Sequence, residues 1–159
     1  MELRIRCIEG PISTDDIIPG KYKHMYVNPE DMAHHIFENK MPGFAKTVEQ
    51  YDAIFCKDIF GIGSSREQAV SSLLASGIKV VIAPLFGRIF YRNCWNLGLI
   101  PIEMKKIELT EKEKIYIDLE NGEIKTEKES YYFTTPPKYM LDLYHSGGIL
   151  NYIKKQLNV

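Results

Sequence analysis

Within seven residues, Gly61-Ile62-Gly63-Ser64-Ser65-Arg66-Glu67 brings together two glycines, two hydroxyls and a guanidinium. The glycines permit a sharp backbone turn, and the amphipathic stretch behind it predicts that a helix starts there, where converging amides favour an anion. Arg66 adds a planar fork suited to a carboxylate or a phosphate. No Gly-Lys-Ser/Thr follows, which excludes a Walker A loop, and a dinucleotide-binding turn would need a third glycine. Taken alone, the turn is more simply explained by Ser64 capping the helix beside a solvated Arg66.

Other polar segments could meet it. Ser13-Thr14-Asp15-Asp16 follows Gly10-Pro11 and reads as loop, in which Asp15 either orients a neighbouring group or simply forms a turn. The segment Gly20-Lys21-Tyr22-Lys23-His24-Met25-Tyr26 offers Lys23 and His24, cationic or titratable groups that surface solvation would also explain. Arg88 and Arg92, four apart on one helix face, could serve a cleft, a partner chain or surface ion pairs. Cys7, Cys56 and Cys94 are odd in number, lack CxxC spacing and match no cluster-ligand pattern. Cys7 and Cys94 also fall on apolar faces, where a free thiol behaves as a small hydrophobe.

The elements that must hold these groups follow from periodicity. Leu3, Ile5 and Cys7 alternate with Arg4 and Arg6, the signature of a half-buried strand. Asn28-Pro29-Glu30-Asp31 predicts a helix running to about Asn39. Ala53 to Cys56 reads as a strand ahead of the glycine turn, and the next helix sets Ala69, Val70, Leu73 and Leu74 on one face before Gly77. Ile78 to Pro84 and Leu99 to Ile102 are apolar runs expected of strands covered on both sides, separated by a helix through Phe86, Ile89, Phe90, Cys94 and Leu97. Ile115, Ile117 and Leu119 lead into Asn121-Gly122 and back to Ile124, a hairpin signal. The tail from Pro137 to Leu157 reads as helical turns broken at Gly147-Gly148.

Composition narrows the function. The 159 residues, 45% hydrophobic, suit one compact domain over 1–159 with an α/β order of elements. A net charge of -1 offers no footprint for nucleic acid or an anionic membrane and favours a small substrate. Arg4 and Arg6 interrupt the first apolar stretch, so no signal peptide is expected, and with the unpaired cysteines this fits the cytoplasm.

Taken together in this order, STDDIIPG, GIGSSREQAV, FGRIFYRNCWNLGLIPIE and HSGGILNYIKK closely resemble the small subunits of 3-isopropylmalate dehydratase and homoaconitase, which match the swivelling C-terminal domain of aconitase. The resemblance spans nearly the whole chain and implies a swivelling β/β/α fold. It implies a hydro-lyase active only with a large subunit, in a heterodimer or heterotetramer, and a small hydroxy-diacid substrate. It also implies no cofactor in this chain, with a 4Fe-4S cluster on the large subunit. Ser64 matches the family's base, Arg66 the arginine beside it, and Asp15 its acidic residue, while Ser65 could donate in the same pocket. The family selects its substrate with the loop following STDxIIPG, here Lys21 to Tyr26. That loop lacks the arginine by which homoaconitases meet a third carboxylate, yet Lys23 and His24 replace the apolar side chains expected for an isopropyl group. The small subunit of a related hydro-lyase (homoaconitase, or a dimethylmalate or citraconate/methylmalate dehydratase) and a regulatory module without catalysis are the alternatives.

Overall fold

The computed structural model describes residues 1–158. The chain begins with β1 (Glu2–Ile8), then a short β2 (Ile12–Ser13) followed by three brief helices, α1 (Thr14–Ile17), α2 (Tyr22–Met25) and α3 (Pro29–Ala33). A 3-10 turn at Phe44–Thr47 leads into β3 (Asp52–Cys56) and β4 (Phe60–Ile62). The order α4 (Glu67–Ala75), β5 (Val80–Ala83), α5 (Arg88–Leu97), β6 (Ile100–Glu103) then gives the expected alternation. A meander of β7 (Lys114–Asp118), β8 (Glu123–Lys125) and β9 (Ser130–Tyr132) precedes α6 (Lys138–Ser146) and α7 (Ile149–Leu157).

One sheet runs β6-β5-β3-β1-β7-β8-β9. Its first four strands are parallel, and β7 joins β1 antiparallel with Ile115 opposite Leu3, so the hairpin extends the main sheet. The third strand of that meander was not foreseen. Ile54, Val81 and Phe90 belong to the core on one face, while Ile5, Phe55, Ile82 and Trp95 pack on the other. Burial on both faces accounts for the unbroken apolar runs of β3 and β5.

Two expectations are corrected. The helix expected from Asn28 to Asn39 ends at Ala33, because the chain then turns to bury Ile36 and Phe37. Phe37 adopts φ 55°, its amide donates to Ile17 O at 2.9 Å, and its ring meets Phe44 edge-on at 5.1 Å. The strand expected to be half-buried is covered on its charged side too, since Arg6 is only 7% exposed. Its partner is Asp52, buried opposite, which accepts from Arg4 Nε at 2.7 Å, Arg6 Nη1 at 3.3 Å and the Glu49 amide at 2.9 Å. Arg6 also reaches Glu111 at 2.9 Å and lies 4.7 Å from the Phe44 ring centre. Carboxylates distant in sequence thus make burial of the arginine tolerable.

Burial pushes the Asp52 carboxyl up, but the hydrogen bonds from Arg4, the Glu49 amide and Arg6 outweigh it and hold the group below its ordinary value. A depressed folded-state pKa contributes stability that is complete above the ordinary carboxylate range, near pH ~4, and lost as pH falls through the lower folded value. Asp52→Asn should therefore cost about 3 kcal/mol in urea unfolding at neutral pH, the scale for unpairing a buried charge. It should also flatten the acid limb of the stability curve; an unchanged acid limb would show that other carboxylates govern it.

Candidate functional site

The site is built on a small platform beside the main sheet. Strands β2 and β4 pair in parallel, with Ile12 opposite Phe60 and Ser13 opposite Ile62, so Gly61 is an extra residue in a bulge. It sits at φ 77°, a conformation natural to glycine. On the other side of β4, the Phe60 amide donates to Leu85 O and the Gly87 amide to Phe60 O, both at 2.9 Å. A Cβ on Gly61 would lie 2.2 Å from the Phe90 ring, and one on Gly87 would lie 2.2 Å from Gly61 O. Backbone therefore meets backbone where the Gly61 turn crosses the start of α5.

From this platform the chain turns through Gly63, at φ 103°, into Ser64. Ser64 does not cap α4. The cap position is Arg66, without a capping side-chain bond, and among the described residues Ser64 Oγ has one polar partner, Thr14 Oγ1 at 3.2 Å. Among the described residues, the hydrogen-bond partner of Ser64 Oγ is thus a hydroxyl and not a helix-start amide.

Thr14 is fixed in turn by a device that corrects the loop expected at Ser13–Asp16. The Asp16 amide donates to Ser13 Oγ at 3.1 Å and the Ser13 amide to Asp16 Oδ2 at 2.7 Å, a capping box that opens α1. Thr14 is consequently buried facing Ser64, while Asp15 points outward and accepts from Arg66 Nη1. Arg66 Nε and Nη2 have no protein partner among the described residues, although the side chain is only 18% exposed. Such a guanidinium is oriented and still has donors to offer a carboxylate. The Gly20 backbone passes beside this pair, 3.5 Å from Asp15 Oδ1 when measured from an added Cβ.

The structure thus brings Ser64, Thr14, Asp15 and Arg66 together on an open face where Ser64, Ser65 and Asp15 are exposed. Ser65 contributes its carbonyl, which accepts from Asn93 Nδ2 at 3.3 Å. Lys23 and His24 lie on α2, exposed and without a hydrogen bond or ion pair among the described residues. That turn is anchored by Tyr22, which stacks on His35 at 3.9 Å and donates its hydroxyl to Glu38. The bond holds the Glu38 carboxyl below its usual value and pushes the Tyr22 phenol up.

Thr14 and Asn93 escaped the reading from sequence. Ser13-x-x-Asp16 is a capping pattern that could have revealed the ordered turn presenting Thr14, whereas nothing in the sequence sets Asn93 apart. Cys56 and Cys94 are buried, and burial pushes both thiols up. Among the described residues no three His, Cys, Asp or Glu side chains converge where a metal ion could sit.

The chain thus combines a mixed seven-stranded sheet with the small β2–β4 platform that carries the site. Residues 12–107 match the sequence profile of the aconitase C-terminal domain family, and the chain belongs to it. The 3-isopropylmalate dehydratase small subunit 1 of Thermotoga maritima is 44% identical over 147 residues, 91% of this chain and 89% of that protein. The homoaconitase small subunit of Thermus thermophilus is 36% identical, over 91% of this chain and 90% of its own. The crystal structure of 3-isopropylmalate dehydratase from Methanocaldococcus jannaschii superposes with a TM-score of 0.89 at 37% identity, covering 99% of this chain and 96% of that one.

Two glycines bordering the site should respond oppositely to a methyl group. Gly87→Ala places a carbon inside the Gly61 carbonyl and should cost about 1–3 kcal/mol of stability, as overpacking does. Gly20→Ala meets only ordinary contacts and should be neutral or gain ~0.4–1 kcal/mol through the unfolded chain. Thermal unfolding of both variants distinguishes them; equal effects would mean that the loops are not in contact.

Proposed function

We propose that this chain is the small subunit of a 3-isopropylmalate dehydratase, interconverting 2-isopropylmalate and 3-isopropylmalate by dehydration and rehydration in leucine biosynthesis. The observation that carries the reading is the pairing of Ser64 with Thr14 beside Arg66 with Asp15, on one face of a chain whose relatives named as that subunit are 40–44% identical. On this reading the large subunit covers that face, and its 4Fe-4S cluster supplies a Lewis acid for departure of the substrate hydroxyl.

The work of this chain is binding and proton transfer. Arg66, held by Asp15, offers its remaining donors to a substrate carboxylate. Ser64, as its alkoxide, takes the proton from the carbon next to a carboxylate. The electron pair of that C–H bond becomes the new double bond as hydroxyl leaves the neighbouring carbon. The proton held on Ser64 and the hydroxyl, together one water, return at exchanged carbons to give the isomer. An alkoxide needs donors: the buried Thr14 hydroxyl lies 3.2 Å from Ser64 Oγ, and the Arg66 charge follows two residues on. Ser65 stands beside this pair and could add a hydrogen bond.

In the reconstituted enzyme, Ser64→Ala should lower kcat by ~100-fold or more with little change in KM, the scale of a positioned base. Thr14→Val, nearly isosteric, should lower kcat about tenfold, roughly the 1.4 kcal/mol of one hydrogen bond. Arg66→Lys should raise KM, because an ammonium lacks the fork. Retention of more than about a tenth of kcat by Ser64→Ala would remove Ser64 from the role.

The second reading concerns the substrate. Lys23 and His24 are exposed on a turn that starts beside the Arg66 pair, and a Methanocaldococcus jannaschii relative, 39% identical, is named isopropylmalate/citramalate isomerase small subunit. Four-carbon diacids with a short alkyl group are favoured, with Lys23 and His24 at the substrate's outer end and no arginine for a third carboxylate. His24→Arg should shift kcat/KM toward triacids by about 1.5–3 kcal/mol, the range of a hydrogen bond to charge. Equal losses on diacids and triacids would put α2 outside the pocket.

A further inference from the structure

Of the five arginines in the chain, Arg4, Arg6 and Arg66 are paired with carboxylates, whereas Arg88 and Arg92 make no ion pair or hydrogen bond among the described residues. Both are exposed on the outer face of α5, one turn apart, with Ile89 between them 41% exposed. That face is contiguous with the candidate site, because Asn93 on the next position donates to Ser65 O and Gly87 abuts Gly61. It also continues onto α7. Gly148 packs against Asn96 O, where an added Cβ would be 2.8 Å away, and Leu150 shares with Glu67 and Asn93 a cleft of about 340 Å³. Beyond the cleft, Leu150, Ile153 and Leu157 project from α7, 72%, 45% and 67% exposed, on one side of the helix.

We infer that the outer faces of α5 and α7 form the docking surface for the large subunit, with Arg88 and Arg92 meeting carboxylates of that partner and the α7 stripe meeting an apolar patch. This rests on the proposed function, which requires a second chain to close over Ser64. Charge selects the occupant: two neighbouring guanidiniums without an ion-pair partner among the described residues repel a second copy of the same face and attract an acidic one. An apolar strip flanked by charge is the usual anatomy of an interface. Substrate carboxylate is the competing use of the arginines, and the two uses separate experimentally.

The cognate large subunit is titrated with the unsubstituted chain, with Arg88→Glu/Arg92→Glu and with Leu150→Asp, reading the dissociation constant by sedimentation or calorimetry at two salt concentrations. All these side chains are exposed, so circular dichroism should be unchanged. Each variant should weaken association at least tenfold, the arginine variant should lose most of the salt dependence, and kcat at saturating partner should persist. Dissociation constants within twofold of the unsubstituted chain would overturn the surface. A raised KM for substrate with unchanged association would overturn it too and assign the arginines to substrate. Failure of the unsubstituted chain to bind would instead overturn the functional reading, and the surface with it.

Discussion

The face that carries Ser64 depends on two loops touching with no side chain between them. Gly61 and Gly87 leave room for a carbonyl and an aromatic ring and for nothing more. Glycine in ordered structure costs conformational entropy, roughly 0.5–1 kcal/mol relative to alanine. Here that cost is offset by packing, since Phe90 sits buried over Gly61 and stacks with Phe86 at 6.3 Å. The turn bearing Ser64 is therefore bolted to the core through β4, and its exposure does not make it loose. The same platform pairs β4 with β2, which brings Thr14 to Ser64 from a segment 50 residues away.

Two acid–arginine pairs in this small molecule have opposite characters. Asp52 is fully buried and shared by Arg4 and Arg6, so opening it would leave charge in the interior. Asp15 is 60% exposed, and an exposed pair is worth ~0–1 kcal/mol net. Arg66 can exchange or share Asp15 with an incoming carboxylate at small cost. The difference in burial makes one pair a strut and, on the proposed function, the other a holder for ligand, although the residue types are the same.

Much of this was legible in the sequence. Apolar runs revealed the parallel strands β3, β5 and β6, and Gly98, at φ 89°, ended α5 where periodicity said it should. The pairing of β7 with β8 followed from Asn121-Gly122. Illegible features depended on distant partners. Arg6 looked solvent-facing because its acids, Asp52 and Glu111, lie 46 and 105 residues further along. The helix after Asn28 stopped early because burial of Phe37 outweighed local propensity. At the site, the glycine-serine-arginine turn was recognisable in type, but local rules assigned Ser64 to a cap. Only the β2–β4 pairing reveals that its hydroxyl is turned to Thr14.

An exposed serine is a poor base. In water its alkoxide is as costly as any alcohol's, and one hydroxyl donor at 3.2 Å cannot make up the difference. Removing water changes the balance, because the same Thr14 dipole and Arg66 charge act far more strongly where solvent no longer screens them. The platform supplies orientation in advance and leaves desolvation to whatever closes over it. On the proposed reading this explains why so small a domain suffices. Its rigid β4 turn fixes the base, its partly buried Arg66 fixes the substrate, and neither becomes reactive until a partner chain excludes water. Activity is then tied to assembly by the dielectric of the site, with no separate switch required.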